Sequence, residues 1–581
     1  MRRAILYATL LAAGISGHTA AAEVWAAPAI FKVRPEARVQ ESNLVWDGRT
    51  RTIRLAGAKN EHVSFQIIIS VPPPPSRREP AAGGFFVEAD ALESAGGRIP
   101  RERIRLYLQH VVLCYAKSGP AGDTGFWPDA LAPLAEPFSM AAPFRQTVRN
   151  RGVWVDIFTP ADIPAGEYTG KIRVTQHGSP IAELQVRLQV YDFALPQETH
   201  LVTYMGLSGR RIALQHEVPA GSDRARELLK KYHGFLYQNR MEPWFNEMLQ
   251  PWLEVTGDGV AVHFDEDAYD LYLRQWKTRR VVLEAGPSEL RRASGAEPFS
   301  EIFNRRVRSY LGQVAEYFRR NGWLERLVFN SPIDEPNTAE QYEETRRWAR
   351  LVHEAAPGVP FLATEAPVPD NPDWGPLTGF VNHFSVHGNA LNRLEVREAI
   401  RREQERGGEI TWYISCDQIY PQPNYFIDAP AMDPVMVPWI TWRYKMNGIL
   451  YWALDYWTQT ADPWLDPVTY LSGFFCSRGG VLNGEGSLLY PGSRVRRHTG
   501  QPDVDGPVSS IRFELLREGI EDYEYLWLLR SLGDGALADQ VAQELVVDVS
   551  AFSRNPAALF AAREKLARRI EELVSKRGAG R

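Results

Sequence analysis

The chain has 581 residues, more than one ordinary domain holds, so two or three domains are expected. Hydrophobic residues make up 44% and charged residues 24%, the balance of a globular chain with ample core. A net charge of −5 without a long basic run argues against a nucleic-acid binder, and the 17 Trp, 23 Tyr and 25 Phe can pack cores or stack on sugar faces.

Arg2 and Arg3 precede an apolar stretch, 4–15, and Ala20-Ala21-Ala22 supplies a small-residue cleavage pattern. Residues 1–22 therefore read as a signal peptide, too short to remain as a membrane span, and a periplasmic or secreted protein is expected. Cys114, Cys416 and Cys476 allow one bridge at most. Without CxxC, HExxH or a His-rich cluster, neither metal nor cofactor is expected.

From 23 to 198 the chain alternates polar and apolar residues in short runs, at 52–55, 63–69, 104–108, 153–158, 171–175 and 184–190. Turn residues separate them, which predicts an antiparallel β-sandwich in an accessory role. Phe126-Trp127-Pro128-Asp129 reads as a packed loop, with a reach toward a neighbouring domain as the alternative.

From 199 to 533 the rhythm becomes strand then helix. Strands are predicted at 200–206, 241–246, 281–285, 327–330, 360–364, 383–387, 410–415 and 448–453. Helical patterns lie between most of them, at 225–238, 268–277, 303–320, 339–355, 394–405 and 434–445, and an eighth unit closes with 510–532. This predicts a (β/α)8 TIM-like barrel. An open doubly wound sheet is the alternative, but no GxGxxG follows a first strand. Residues 534–581 read as a short helical segment, with Glu564, Arg568, Glu571 and Glu572 on a solvated face.

The fourth predicted strand ends in Ser331-Pro332-Ile333-Asp334-Glu335-Pro336. Acids past the C-terminal end of a barrel strand are where such folds keep their chemistry. A helix-entry loop, with acids favoured by the helix dipole, is the alternative. The other strand ends carry Tyr204, Asn246, Glu247, Glu284, Glu365, His387, Asn389, Tyr413, Asp417, Trp452, Asp455, Tyr456 and Trp457, a polar and aromatic rim suited to a polyhydroxylated ligand. Adjacency constrains mechanism. Two-carboxylate retaining hydrolases hold their acids about 5–5.5 Å apart across the reacting carbon, whereas neighbours on a regular strand point to opposite faces. Both can address one sugar only where the strand has ended. One then protonates the leaving oxygen while the other holds a substrate group that itself attacks.

The Asp334-Glu335-Pro336 segment resembles that of glycoside hydrolase family 123 and related proteins with its catalytic domain. So do Pro423-Asn424-Tyr425-Phe426-Ile427-Asp428, the run from Trp439 through Trp442 to Trp452, Gly484-Glu485-Gly486, and Ser510 through Arg512 and Arg517 to Glu524. Gly57-Ala58-Lys59-Asn60-Glu61 and Trp127-Pro128-Asp129-Ala130-Leu131 also fit. The resemblance implies a β-N-acetylgalactosaminidase-like, exo-acting glycosidase on a glycan with a terminal 2-acetamido sugar. Asp334 would orient the acetamido group and Glu335 would be the general acid/base, through an oxazoline-type intermediate. Tyr413, Trp452 and Trp457 are nominated for the acetamido pocket, and Asn389, Asp455 and Glu485 for hydroxyl contacts. Glu485 departs from a Gly-Asp-Gly pattern, which leaves galacto versus gluco preference open. A two-carboxylate glycosidase pairing Glu335 with Glu247 or Glu365, and a non-catalytic carbohydrate-binding protein, are the competing readings.

Overall fold

The computed structural model describes residues 22–72, 80–257, 259–292, 297–472 and 480–579. The signal-peptide reading and Cys476 lie outside the described residues. Two sheets form the N-terminal part. One is antiparallel, ordered Glu23–Pro28, Glu61–Ser70, Asn150–Thr159, Ile104–Cys114, Gly125–Pro133. The other is built around Ser179–Ala194 and Gly166–Gln176, and the two sheets share one core that includes Ile53, Phe65, Ile67, Val155 and Leu188. It departs from the antiparallel expectation at one place: Thr52–Lys59 runs parallel to Ser179–Ala194. The cause is local. Asn60, with φ 57°, turns the chain out of this sheet directly into Glu61–Ser70 of the other, so Thr52–Lys59 has no hairpin partner after it.

The eight barrel strands are β1 (Val202–Gly206), β2 (Pro243–Trp244), β3 (Val281–Glu284), β4 (Leu327–Asn330), β5 (Phe361–Ala363), β6 (His383–His387), β7 (Glu409–Ile414) and β8 (Gly448–Tyr451). All ladders are parallel, in the order β2-β1-β8-β7-β6-β5-β4-β3, the cyclic order of a barrel with no ladder between β2 and β3 among the described residues. Each strand alternates. Leu327 and Phe329 face the helices, whereas Val328 joins Val202, Val282, Leu362 and Leu450 in the lumen.

The helices that follow the strands are α1 (Asp223–Gln238), α2 (Glu266–Tyr269), α3 (Glu301–Arg320), α4 (Ala339–Ala355), α5 (Leu394–Glu405), α6 (Met432–Arg443) and α7 (Ile511–Ser531), then α8 (Gly535–Leu545) and α9 (Pro556–Ala579). The helix expected at 268–277 is α-helical only to Tyr269 and runs on as a π-helix over Asp270–Gln275, and short helices lie at Gly209–Gln215, Ser288–Arg292 and Val495–Thr499. Ser222, Ser300, Thr338 and Ser510 cap α1, α3, α4 and α7, each side chain accepting a backbone N–H of the first turn. The β5–β6 crossover has no α-helix, only a short turn at Pro372–Trp374. Pro367, Pro369, Pro372 and Pro376 deny it the amide hydrogens a helix needs.

α7 joins the two halves and is buried on nearly all sides. Arg512 donates Nε and Nη2 to both oxygens of Asp129, at 2.8 and 2.7 Å, and Nη1 to the carbonyls of Tyr425 and Gly484. Arg517 reaches Asp156, while Tyr525 and Arg563 hold Glu61. Lys32 donates to the carbonyls of Ile427 and Ala429. Asp129 thus sits in a strand docked on the barrel, and the packed-loop reading of 126–129 gives way to the interdomain one. A buried charge is tolerable only when paired, so these contacts dictate how the halves dock.

Candidate active site

Asp334 and Glu335 follow β4 on a stretch held by local polar contacts. Ser331 Oγ accepts the Ile333 N–H at 3.1 Å, and Asn330 Nδ2 donates to the Ser331 carbonyl at 2.7 Å. Glu335 has φ 46°, a left-handed conformation that costs a non-glycine residue about 1 kcal/mol. Neighbouring side chains diverge on a strand; this turn lets both carboxylates line one cavity of about 660 Å³. Thr364, after β5, fixes the pair. Its hydroxyl accepts the Glu335 N–H at 3.1 Å and donates to Asp334 Oδ1 at 2.6 Å. Tyr413, from β7, donates its hydroxyl to Glu335 Oε1. The two carboxyl groups are therefore oriented by different partners.

The opposite wall comes from β6 and the loop after β7. His387 Nε2 lies 3.0 Å from Asp417 Oδ1 and 2.9 Å from Ser415 Oγ, and Asn389 Nδ2 donates to Asp417 Oδ2 at 2.8 Å. Hydrogen bonds and charge from His387, with Ser415 beside it, hold the Asp417 carboxyl down at about 2 against the effect of burial. Trp452 and Tyr470 supply the aromatic wall, their rings 5.9 Å apart and edge to face. The β5–β6 loop adds Glu365 and Asp370, and Arg393, paired to Asp370, closes the rim. Burial raises the Glu365 carboxyl to about 8, with Asp370 and Glu335 adding like charge.

The structure brings together Asp334, Glu335, Tyr413, Asn389 and Trp452. It separates the other nominated residues from this cavity. Glu485 is fully buried behind the wall, where Oε1 accepts the Trp452 indole N–H at 2.7 Å and burial lifts its carboxyl to about 7. The glycines beside it have a structural reason. Gly486 has φ 64°, and a Cβ there would come within 2.5 Å of the Trp452 ring. Asp455 is also fully buried, ion-paired to Arg211 at 2.7 Å and accepting the Ser208 N–H. Trp457 donates to Ser487 Oγ and the Leu489 carbonyl inside the core. All three face away because each is held by its own partner, Trp452, Arg211 and Ser487 respectively. Glu247 accepts the Gly209 N–H and does not line the cavity. Sequence reasoning missed Thr364 and Tyr470. Thr364 adjoins the acid at the end of β5, a signal that could have been read, whereas Tyr470 comes from a hairpin with no barrel periodicity.

Among the described residues no group of three or more His, Cys, Asp or Glu could hold a metal ion, and no helix is long and apolar enough to cross a membrane. Cys114 is a free buried thiol and Cys416, on the cavity wall, is disulfide-bonded. A larger crevice of about 850 Å³ lies between the sandwich and α9, lined by Glu518, Asp522, Tyr525 and Arg563 of the domain junction.

The family model for the catalytic domain of glycoside hydrolase 123 matches residues 249–529. A solved family 123 glycoside hydrolase from Clostridium perfringens, described for glycolipid glycan hydrolysis, superposes with a TM-score of 0.67 at 12% identity, covering 96% of this chain and 98% of that one. The two share a fold. A family 5 xyloglucanase from Bacteroides ovatus matches at a TM-score of 0.26 and 9% identity, over 81% of this chain and 98% of that one. A family 39 glycoside hydrolase from Bacteroides cellulosilyticus matches at 0.31 and 10%, over 72% and 78%. No curated protein matches the chain.

Proposed function

We propose, from the premise that residues 249–529 belong to the glycoside hydrolase 123 catalytic-domain family, that this glycosidase is an exo-acting β-N-acetylhexosaminidase. Its substrate is a glycan ending in a β-linked 2-acetamido sugar, and it acts with retention. The observation that carries the reading is the adjacent pair, Asp334 bound by Thr364 and Glu335 bound by Tyr413, on one wall of one cavity.

Glu335 donates its proton to the glycosidic oxygen as the C1–O bond breaks. The acetamido carbonyl oxygen attacks C1 from the other face, and Asp334 accepts the N–H as positive charge develops on the forming oxazoline ring. Water then adds to C1, returning its proton to Glu335, and the ring reopens. Two inversions give net retention. Trp452 and Tyr470 stack on the sugar, and Asn389 with Asp417 takes hydroxyl groups.

Aryl β-N-acetylgalactosaminide and β-N-acetylglucosaminide test the assignment directly. Wild type cleaves at least one, Glu335→Gln lowers kcat by about 10³-fold or more, and Asp334→Asn lowers it comparably. Cleavage of neither substrate, or undiminished turnover by Glu335→Gln, rules the reading out. Residues 1–22 direct export in this reading. Cell fractionation with N-terminal sequencing of the mature protein checks that step.

A further inference from the structure

Two cavity carboxyls are used by neither step above, Asp370, which is paired to Arg393, and Glu365. It follows Thr364 directly, so the residue that grips Asp334 also fixes where Glu365 stands. Its Oε1 is taken by the Ala366 N–H at 2.7 Å and the Tyr342 hydroxyl also reaches the carboxyl, so what a neutral Glu365 has left to offer the cavity is its own proton. Asp334 and Glu335 face it from the end of β4, Tyr413 from β7, Tyr342 from α4, and Asp370 with its partner Arg393 from the rim.

We infer that Glu365 is a substrate-binding and specificity-determining residue, donating a hydrogen bond from its carboxyl O–H to the sugar hydroxyl next to the acetamido group. This rests on the hexosaminidase reading. Asp334 takes the 2-acetamido group and Glu335 the oxygen on C1, so a further carboxyl lining the same cavity is left the ring hydroxyls, of which O3 stands next to the acetamido group. A nucleophile would have to be ionised at working pH, whereas burial among like charges keeps this carboxyl neutral up to about 8. A neutral acid donates to a hydroxyl oxygen, which an ionised carboxylate cannot do. Above about 8 Glu365 ionises, the donor is lost and a further negative charge enters the cavity.

The test crosses enzyme and substrate. Wild type, Glu365→Gln and Glu365→Ala are assayed on the 2-acetamido aryl glycoside and its 3-deoxy analogue from pH 6 to 9. Wild type favours the parent by about tenfold in kcat/KM, the value of one hydrogen bond to a buried polar group. Glu365→Ala removes that preference, while Glu365→Gln, still a donor, keeps it. The wild-type KM rises above pH 8 and that of Glu365→Gln does not. A thousandfold loss of kcat in Glu365→Gln, rescued by azide in Glu365→Ala, overturns the inference in favour of a covalent nucleophile. Equal losses on both substrates overturn it in favour of a structural role. Should no variant turn over any glycoside, the hexosaminidase reading is what fails. Calorimetric titration of the free 2-acetamido sugar and its 3-deoxy form into the same proteins then decides Glu365 alone: equal affinity of wild type for both overturns the inference, and a preference lost in Glu365→Ala supports it.

Discussion

Replacing Arg512 by Met should remove about 5 kcal/mol of stability, and the reason is what it leaves behind. The guanidinium is fully buried, with two nitrogens on Asp129 and others on the carbonyls of Tyr425, Gly484 and Ser487. Without it the Asp129 carboxylate, itself fully buried, keeps only the Tyr490 hydroxyl at 2.7 Å. Stranding one member of a buried ion pair costs about 3–5 kcal/mol. The three carbonyls lose donors at about 1 kcal/mol or more each where water does not replace them. A folded domain has about 5–15 kcal/mol in total, so the variant is expected at the edge of folding. Asp129→Leu should cost about as much, by stranding the arginine. The double variant removes both charges and should lose only about 1–3 kcal/mol, through the carbonyls. Urea unfolding of all four proteins measures the coupling. If the double variant loses the sum of the two single losses, the pair is not stabilised by mutual compensation and the reasoning is wrong.

Glu485→Leu deprives the Trp452 indole of its acceptor and should raise KM about tenfold with kcat nearly unchanged, seen in steady-state kinetics. Glu335→Gly abolishes turnover but relieves the left-handed backbone, so its melting temperature should match or exceed wild type, by the equivalent of about 0.5–1 kcal/mol. Glu518 is held neutral up to about 8 by burial, whereas in the unfolded chain it ionises near 4.5. The folded state therefore holds a proton the unfolded state has released, and stability from this group falls as pH rises from about 5 to 8. Glu518→Gln removes that loss. Denaturant melts should show the variant gaining on wild type by about 1 kcal/mol per pH unit, and a constant difference refutes the assignment.

The position of Asp334 and Glu335 was legible because its causes are local. An apolar run makes β4, two prolines end it, and Thr338 caps the helix that follows. The eight strands and the seven helical patterns of the barrel follow from periodicity in the same way, including the gap after β5, where prolines stand in place of a helical pattern. The motifs that carry the family resemblance proved to be mostly architecture. Asp129, Tyr425, Gly484 and Ser487 converge on Arg512, and Glu61 on Tyr525 and Arg563, so they record the docking of two halves more than contact with sugar.

Chain chemistry alone determined which residues could reach the catalytic face of the barrel; only tertiary packing decided which of them turn toward the cavity. Trp452 faces it and Trp457, five positions on, does not, because Ser487 and Leu489 wait for its indole in the core. Asp455 and Glu485 are spent on Arg211 and Trp452 in the same way. Such partners lie thirty or more, in one case more than two hundred, residues away, and a side chain's direction is set by the nearest group that satisfies its buried charge or hydrogen. No local pattern encodes that group's whereabouts. The paired acids leave the strand through a turn written in the residues around them, and only the direction of each carboxyl is set from afar, by Thr364 and Tyr413.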